Sequence, residues 1–404
     1  MSELRAAVIG AGPAGSTAAR LLAERGADVT LLEARQLPRA KLCGGGLTPK
    51  AQRLVPSAAL DTVERRVDRV ELRGPHLPPI RVADPAATIA MVERSRFDLA
   101  LVEAAARAGV TVRDGEPVRE IVEDDSGVTL RTDQGTLKAD LAVVADGEPS
   151  RAAHQIRLGG PAKRLALALE VDLPFSASLG RDTALITYGV SGGYGWYFPK
   201  GDHANVGVGS YRAGQYQGLR DELARLAREL GLDVRDGRVG GHWIPQGLRR
   251  GPLSTPRVVL AGDAAATADS LFGEGISYAI LSGVVAAQTI GAWSDGTIDD
   301  LRAYDRRLRL VLGPALGRLD ALARAAEVSI TAALLAVRLS ERVRERAVDA
   351  IVGRGPFVID GNCELACVCV QCSTGAAVEG VSGLTPSRQI VRQPVISCQA
   401  TCSA

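Results

Sequence analysis

The start of the chain alternates between short apolar runs and one amphipathic segment. Residues 6–9 and 28–32 have the composition of buried parallel strands, and residues 16–25 between them have the apolar spacing of a helix that ends at Gly26. This strand–helix–strand pattern predicts a β–α–β unit, and therefore an α/β fold that contains a Rossmann-like domain.

Similar patterns continue to about residue 160. They predict one helix and four further strands, at residues 97–108, 110–113, 118–123, 127–132 and 137–145. The strands at 118–123 and 127–132 are separated by a short polar turn, so we expect them to pair as an antiparallel hairpin.

From about residue 161 the pattern changes to apolar segments separated by glycine-rich turns. Strands are predicted at residues 165–171, 184–190, 195–198 and 204–211, and an amphipathic helix at residues 219–229. We therefore expect a mostly antiparallel β-sheet domain, inserted into the Rossmann-like domain.

The first pattern then returns, with a buried strand predicted at residues 257–260 and a helix at residues 276–293. Arginine-rich helices are expected from about residue 300 to residue 352. The limits that we assign are residues 1–75, 93–160 and 253–300 for the Rossmann-like domain, 76–92 and 161–252 for the inserted sheet, 301–358 for the C-terminal helices, and 359–404 for a cysteine-rich tail.

The tail contains six of the seven cysteines of the chain, which are Cys363, Cys367, Cys369, Cys372, Cys398 and Cys402. Their spacing matches neither the paired C-x2-C pattern of common zinc sites nor that of ferredoxins. The abrupt change in composition favours a poorly ordered tail over a metal site, so we predict no metal ligands.

Charge and hydropathy restrict the partners of the chain. The formal net charge is +2 and arginine is spread along the sequence, which argues against nucleic acid as a partner. No signal peptide precedes the first strand, and no uninterrupted apolar run reaches the length of a spanning helix. These features favour a cytoplasmic protein.

A glycine motif follows the first strand. Gly10, Gly12 and Gly15 match G-x-G-x-x-G, with Ala14 inside it, and Glu33 ends the next strand just before Ala34. In this setting the glycines allow the pyrophosphate of a dinucleotide to approach the helix N-terminus, and the carboxylate binds ribose hydroxyls. Glu33 disfavours a 2′-phosphate, so the motif predicts FAD or NAD rather than NADP.

Two later segments favour FAD. Residues 143–151 place Asp146 and Gly147 after a strand, and residues 258–283 place Gly262 and Asp263 after another strand, before a glycine turn that opens a helix. The carboxylate of either aspartate, Asp146 or Asp263, can accept a hydrogen bond from a ribityl hydroxyl. The helix start can face the pyrimidine end of a flavin. The further flavin-binding residues that we predict are Arg94, Gly273, Gly275 and Ile276.

These motifs resemble the hydroxylase branch of the glutathione-reductase-like FAD fold. Two more stretches, KLCGGGLTPKA from Lys41 and GGYGWYFPK from Gly192, are together similar to the geranylgeranyl reductase family, over about residues 5 to 300. The resemblance implies that Cys43, Gly44, Gly45 and Gly46 lie near the isoalloxazine. It also implies a substrate pocket above the flavin, lined by Tyr194, Trp196, Phe198 and Pro199 together with Gly46.

Strand alternation independently places Tyr194, Trp196 and Phe198 on one face, and an aromatic face suits an apolar chain. The activity that the resemblance implies is reduction of carbon–carbon double bonds in a polyprenyl chain. Hydride would pass from N5 of reduced FAD to one alkene carbon, and a proton would reach the other. Cys43, Tyr194 and Trp196 are the predicted catalytic residues, with Cys43 and Tyr194 as alternative proton donors.

Several partners stay open at this point. The substrate could be a prenyl diphosphate, a quinone tail, a chlorophyll side chain or an ether lipid, and electrons could come from NAD(P)H or from a carrier protein such as ferredoxin. Amphipathic helices at residues 316–343 are consistent with peripheral membrane contact or with packing on the FAD domain. The alternative functions are an FAD monooxygenase, a flavin-dependent halogenase and a flavin-binding scaffold.

The three glycines after Cys43 need a separate explanation, because such a run suits neither a helix nor a strand. The FAD domain continues on both sides of them, so they are not a linker. Our hypothesis is that the loop has no side chains because its backbone lies beside the flavin ring. On that hypothesis, a bulky residue at Gly45 impairs flavin or substrate placement and leaves the fold intact.

Overall fold

The structure is a computed structural model, and it describes residues 4–85, 88–190, 192–211 and 218–352. The cysteine-rich tail, with the six cysteines from Cys363 onward, lies outside these residues. The strands in chain order are β1 (Arg5–Ile9), β2 (Asp28–Leu32), β3 (Gly46–Leu47), β4 (Val63–Val67), β5 (Arg69–Gly74), β6 (Leu77–Ala83), β7 (Ile89–Val92), β8 (Thr111–Arg113), β9 (Val118–Asp124), β10 (Gly127–Thr132), β11 (Gly135–Ala139), β12 (Leu141–Val144), β13 (Ala162–Leu173), β14 (Thr183–Thr187), β15 (Gly193–Pro199), β16 (Ala204–Ser210), β17 (Gly240–Arg249) and β18 (Val258–Leu260).

The helices flank these strands or follow them. In chain order they are α1 (Pro13–Ala23), α2 (Pro49–Gln52), α3 (Ser57–Leu60), α4 (Arg94–Arg107), α5 (Arg151–Gln155), α6 (Leu219–Glu229), α7 (Ile276–Ser294), α8 (Ala303–Val328), α9 (Ile330–Leu339) and α10 (Glu341–Val352). The mixture of parallel and antiparallel sheets with C-terminal helices confirms the predicted α/β fold class.

A five-stranded parallel sheet, in the order β18-β12-β1-β2-β8, carries the dinucleotide-binding part of the fold. Its central strands are buried on both faces, which explains their uninterrupted apolar sequence. The register aligns Ile9 with Leu32 and with Val144, and Val144 with Leu260. The carboxyl ends of these strands therefore meet at one edge, which is where ligands bind in open α/β sheets.

Helices α1 and α7 pack closely against each other beside this sheet. A Cβ atom on Gly283 of α7 would lie 2.4 Å from the Ala14 carbonyl oxygen, so only glycine permits the crossing. Helix α7 is long and apolar enough to cross a membrane, but 83% of the segment is buried inside the fold. Its composition is accounted for by its position as a core helix.

A seven-stranded sheet, in the order β17-β13-β16-β15-β14-β5-β6, forms the second layer. The contacts between neighbouring strands are antiparallel except for β14 and β5, which run parallel. Tyr197, Val206 and Val208 project from one face into a core that includes Leu223 and Leu226 of α6. Tyr194, Trp196 and Phe198 belong to the opposite face, and they line a cavity.

The remaining elements connect these layers. Strands β3, β7 and β4 form one three-stranded sheet, and β11, β10 and β9 form another. Leu334 of α9 packs against Leu72, Ile80 and Ile186 of the seven-stranded sheet. The amphipathic C-terminal region thus covers the inserted sheet at this point, whereas the sequence suggested the FAD domain or a membrane as its neighbour.

Three expectations need correction. The single strand predicted at residues 137–145 is two strands, β11 and β12, because the chain turns at Asp140, whose carboxylate accepts hydrogen bonds from Arg5. Strands β3 to β7 and the long β17 were not predicted. Strand β5 pairs with β14, so the limit between residues 75 and 76 places β5 in the wrong part. The rest of the domain division stays a prediction.

Candidate functional site

A large cavity, about 740 Å³ in volume, lies between the carboxyl edge of the parallel sheet and the face of the seven-stranded sheet that is opposite α6. Most of the predicted site residues line it. They are Gly10, Gly12, Ala14, Glu33, Ala34, Cys43, Gly44, Gly45, Gly46, Arg94, Asp146, Gly147, Tyr194, Trp196, Phe198, Gly262, Asp263, Gly273, Gly275 and Ile276. Gly15 and Pro199 are not among the lining residues, so their predicted contacts with cofactor and substrate are not supported.

The glycine turn after β1 has three different roles. Gly10 has a φ of +100°, and a Cβ there would lie 2.3 Å from the Ala145 carbonyl oxygen. A Cβ on Gly15 would lie 1.9 Å from the Gly10 carbonyl oxygen, so Gly15 acts in helix–strand packing. A Cβ on Gly12 would meet only the tip of Arg39, at 3.7 Å. The space at Gly12 is therefore open, and it fits a pyrophosphate at the N-terminus of α1.

Glu33, at the end of β2, is held at the rim of the cavity. Its Oε2 atom accepts a hydrogen bond of 3.0 Å from the Ala11 backbone N–H and lies 3.0 Å from Nε of Arg39. Arg39 in turn donates to the buried carboxylate of Asp98 at 3.1 Å. This chain of contacts fixes one carboxylate beside the glycine turn, as binding of a ribose requires.

Replacing Glu33 with glutamine is expected to weaken FAD binding about tenfold, or ~1.4 kcal/mol. The amide keeps the shape of the side chain, but it removes the charge that pairs with Arg39 and that accepts strongly from ribose hydroxyls. Fluorescence titration of the apoprotein with FAD measures the change. Glu24→Gln removes a carboxylate that pairs with Arg20 on the far end of α1, and it should leave the affinity unchanged; an equal loss in both variants would contradict the assignment.

Arg94 is the first residue of α4, and its guanidinium is buried against the cavity. Nε and Nη2 donate to the two carboxylate oxygens of Asp98 at 2.9 and 3.0 Å. Burial is the largest single influence and would lower the pKa of Arg94, but the charge and hydrogen bonds of Asp98, together with the interactions with Cys43, outweigh it and raise the pKa. Arg96 points away and pairs with Glu64 at an exposed position. Only the first of the two arginines therefore belongs to the site.

Asp146 follows β12 and is positioned by its own local turn. Its carboxylate accepts hydrogen bonds from the Ser150 hydroxyl at 2.5 Å and from the Ala152 backbone N–H at 3.2 Å. Burial raises the pKa of Asp146 above its ordinary value, although these hydrogen bonds act in the opposite direction. The turn thus presents an oriented carboxyl group at the cavity wall.

The glycine turn before α7 is organised by Asp269. Its carboxylate accepts backbone hydrogen bonds from Leu271, Phe272 and Glu274, at 2.8, 2.7 and 2.9 Å. Burial raises the pKa of Asp269 to about 6. The sequence predicts the glycine turn but assigns no role to Asp269. Asp269 itself holds the loop, and the loop places Gly273 and Gly275 at the cavity.

The aromatic motif forms one wall of the cavity. Tyr194, Trp196 and Phe198 project from the same face of β15, with ring centroids 6.0 and 6.5 Å apart. Trp196 donates from Nε1 to Oδ1 of Asn205 at 2.7 Å, and the Tyr194 hydroxyl donates to the Phe272 carbonyl. The predicted alternation is confirmed, and two of the three rings are fixed by hydrogen bonds.

The Cys-Gly loop lies against this aromatic wall and against β7. A Cβ on Gly44 would lie 2.7 Å from the Phe198 ring. Gly45 has a φ of +74°, and a Cβ there would lie 2.2 Å from the Val92 carbonyl oxygen. These protein neighbours leave no room for a side chain at Gly44 or at Gly45. The contact with Val92 is by itself a sufficient reason for glycine at residue 45, and the position of the loop beside a flavin stays a prediction, although the loop does line the cavity.

Sequence reasoning missed other residues of the site. Glu170 of β13 and His242 of β17 line the cavity, as do apolar residues from the seven-stranded sheet and from β7. The apolar residues are Val70, Ile89, Ala184, Ile186 and Ile244. Alternation along β13 could have indicated the side on which Glu170 lies, but the pairing of β13 with β16 and of β16 with β15 is needed to bring it to Trp196. Within the described residues, no three His, Cys, Asp or Glu side chains converge as a metal site would require.

Comparisons with known proteins agree with this geometry. Residues 3–178 match the family model for an FAD binding domain. The chain is 32% identical to the chloroplastic geranylgeranyl diphosphate reductase of Arabidopsis thaliana over 346 residues, which cover 79% of this chain and 73% of that protein. It is also 32% identical to the menaquinone reductase of Mycolicibacterium smegmatis, with 75% and 79% covered.

Solved structures show the same fold at lower identity. A geranylgeranyl bacteriochlorophyll reductase-like protein from Thermoplasma acidophilum superposes with a TM-score of 0.71 at 22% identity, over 90% of this chain and 98% of that one. A flavin-dependent halogenase superposes with a TM-score of 0.65 at 23% identity, over 79% of this chain and 63% of that one. These two likenesses bear on the fold alone.

Proposed function

Because the chain belongs to the geranylgeranyl reductase family of FAD-dependent oxidoreductases, we propose that it reduces carbon–carbon double bonds of a polyprenyl chain. The observation that carries this proposal is the aromatic wall of Tyr194, Trp196 and Phe198, which faces the same cavity as the glycine turn after β1. An extended apolar chain can lie on such a wall next to a flavin.

The residues of this chain fit FAD. Gly12 leaves room for the pyrophosphate, Glu33 would bind the adenosine ribose, and Asp146 and Asp263 would face the ribityl chain. When bound and reduced, FAD supplies a hydride to one carbon of the alkene. The protein holds the alkene in place, excludes water with its apolar lining and supplies a proton to the other carbon.

The finer assignments are also proposals. The substrates that fit are chains attached to a diphosphate, a quinone, a chlorophyll or an ether lipid, and relatives are named for diphosphate, menaquinone and glycerophospholipid reduction. Electrons would come from NAD(P)H or a reduced carrier such as ferredoxin.

We place the protein in the cytoplasm, in peripheral contact with a membrane, where prenyl lipids reside. Exposed apolar side chains on α8 and α9 support this contact, with Val328 88% exposed and Leu339 76% exposed.

Anaerobic turnover tests the proposed activity. The holoprotein is reduced without oxygen and mixed with geranylgeranyl diphosphate or a menaquinone. We expect the flavin to be reoxidised and mass spectrometry to show the gain of two hydrogens for each bond reduced. A monooxygenase or a halogenase would need oxygen, and a scaffold would give no product, so unreacted substrate together with flavin that stays reduced contradicts the proposal.

Trp196→Phe tests the aromatic wall. Phenylalanine keeps an apolar ring but loses the N–H that donates to Asn205, so the wall loses area and a fixed orientation. We expect turnover of the prenyl substrate to fall about tenfold, or ~1.4 kcal/mol, with FAD affinity unchanged. Trp243→Phe changes a tryptophan that is outside the cavity lining, and it should turn over as the unmodified protein does; equal losses would count against a substrate role for Trp196.

A further inference from the structure

Glu170 is a buried carboxyl group in the middle of β13, and it lines the cavity. Its cross-strand partners are Gly207 on β16 and Gly240 on β17. Gly207 is also the partner of Trp196 on β15. Cross-strand partners share a face of the sheet. The register therefore places Glu170 and Trp196 in one row on the cavity face, separated by a single glycine.

The two glycine neighbours make room for larger side chains beside Glu170. A Cβ on Gly207 would lie 2.0 Å from the Trp196 ring, and a Cβ on Gly240 would lie 2.7 Å from Leu42. The indole thus lies over one glycine and the leucine over the other. Glu170 projects between two apolar groups, and it is only 3% exposed.

The hydrogen bonding of Glu170 is incomplete. The Cys43 backbone N–H donates to its carboxyl group. Its Oε2 atom is buried, and no group in the described part of the chain forms a hydrogen bond with it. Buried carboxyl oxygens are normally satisfied, so an exception at a cavity wall indicates an interaction with a ligand.

Burial, only partly opposed by neighbouring charges, leaves this group between its two protonation states near neutral pH. Burial raises the pKa of Glu170 to about 7, and the neighbouring carboxylate of Asp172 acts in the same direction. The charges of Lys200 and Arg94 and the hydrogen bond from Cys43 partly oppose this rise. A carboxyl group in this state can release a proton and regain it.

Two other titratable groups at the cavity, Tyr194 and His242, are less suited to supplying a proton. Burial, reinforced by the charge of Asp269, raises the pKa of Tyr194 far above its ordinary value, and its hydroxyl is engaged by Phe272. Burial, with the charges of Lys41 and Arg94, lowers the pKa of His242 to about 3, so this ring is neutral.

We propose that Glu170 is the proton donor for reduction of the alkene. This inference rests on the proposed function. A hydride from the reduced flavin forms one C–H bond, the O–H bond of Glu170 breaks as its proton forms the second C–H bond, and the two π electrons of the alkene enter that bond. The flavin is oxidised, the alkene is reduced, and the Glu170 carboxylate is protonated again from water.

Glu170→Gln tests the assignment, because the amide has the same shape and cannot supply an acidic proton. In the holoprotein we expect unchanged FAD affinity and unchanged reduction of the flavin by dithionite. Anaerobic reoxidation by geranylgeranyl diphosphate should slow at least about 100-fold.

The pH profile and two further variants extend this test. In the unmodified protein, flavin reoxidation should slow as the pH rises through about 7, and in Glu170→Gln its rate should be independent of pH there. Glu170→Asp should restore part of the rate, and Glu120→Gln, at an exposed position, should match the unmodified protein.

The apoprotein provides a readout that does not depend on turnover. The pKa of Glu170 is raised in the folded state, so its protonated form stabilises the fold below the unfolded pKa, and this contribution is lost as the pH rises through about 7. Urea unfolding should therefore show that the free energy of unfolding of the unmodified apoprotein, relative to that of Glu170→Gln, falls as the pH rises from about 4.5 to about 7. Parallel pH profiles would contradict the inference.

The outcomes separate the two proposals. If the unmodified protein reduces no prenyl substrate, the proposed function is wrong and this inference falls with it. If the unmodified protein is active and Glu170→Gln reoxidises at the same rate with the same pH profile, only the assignment of Glu170 is overturned.

Discussion

Gly15→Ala is expected to destabilise the folded protein by about 3 kcal/mol, whereas Gly12→Ala is expected to leave its stability unchanged and to weaken FAD binding. A Cβ at residue 15 would lie 1.9 Å from the Gly10 carbonyl oxygen, which is backbone inside the turn and cannot move aside. A Cβ at residue 12 meets no protein atom closer than 3.7 Å. It occupies only the space that the pyrophosphate needs.

Two measurements on each variant distinguish these effects. Urea unfolding of the apoproteins gives the free energy of unfolding, and FAD titration gives the affinity. We expect Gly12→Ala to lose at least about tenfold in affinity, or ~1.4 kcal/mol. If Gly12→Ala bound FAD as tightly as the unmodified protein, the pyrophosphate would not lie at this turn. If Gly15→Ala were as stable as Gly12→Ala, the packing role of Gly15 would be wrong.

The parts of the site that the sequence predicted are those that local motifs encode. The glycine turn and Glu33 belong to one β–α–β unit, and the aromatic rings alternate along a single strand. In each case the spacing within one short segment determines where the side chains point. The parallel sheet then brings Asp146 and Asp263 to the same edge, because its strands end together.

The residues that were missed depend on contacts between distant segments. Glu170 reaches Trp196 only through the register of β13, β16 and β15, and nothing in the sequence around residue 170 sets that register. Strand β5 joins β14, which is more than a hundred residues away along the chain, so local patterning could not assign it. The break at Asp140 depends in the same way on Arg5.

The Cys-Gly loop illustrates how an explanation from sequence can identify the place and miss a cause that only the folded chain shows. Its glycines line the cavity. The carbonyl of Val92 and the ring of Phe198 already leave no room for side chains at Gly45 and Gly44. A protein contact of this kind cannot be distinguished from a cofactor contact by composition alone, because both require a bare backbone.

Gly45→Val is therefore expected to disrupt the fold around the cavity as well as turnover. Its φ of +74° disfavours a β-branched residue, and its Cβ would lie 2.2 Å from the Val92 carbonyl oxygen. The Gly45 carbonyl oxygen also accepts a hydrogen bond from the Val92 N–H at 2.9 Å, so moving the loop breaks the contact with β7. Backbone strain and steric overlap together should lower the free energy of unfolding by about 3 kcal/mol or more.

The neighbouring glycines supply the matched controls. A Cβ on Gly46 would lie 3.3 Å from a methyl group of Ile89, which can move, so Gly46→Ala should stay close to the unmodified protein in stability. A Cβ on Gly44 would lie 2.7 Å from the Phe198 ring, so Gly44→Ala should displace the aromatic wall and reduce prenyl turnover more than stability. Urea unfolding and anaerobic turnover of the three variants test this order. A Gly45→Val protein with unchanged stability would show that the loop can move away from Val92, and the explanation of its glycines by protein contacts would then fail.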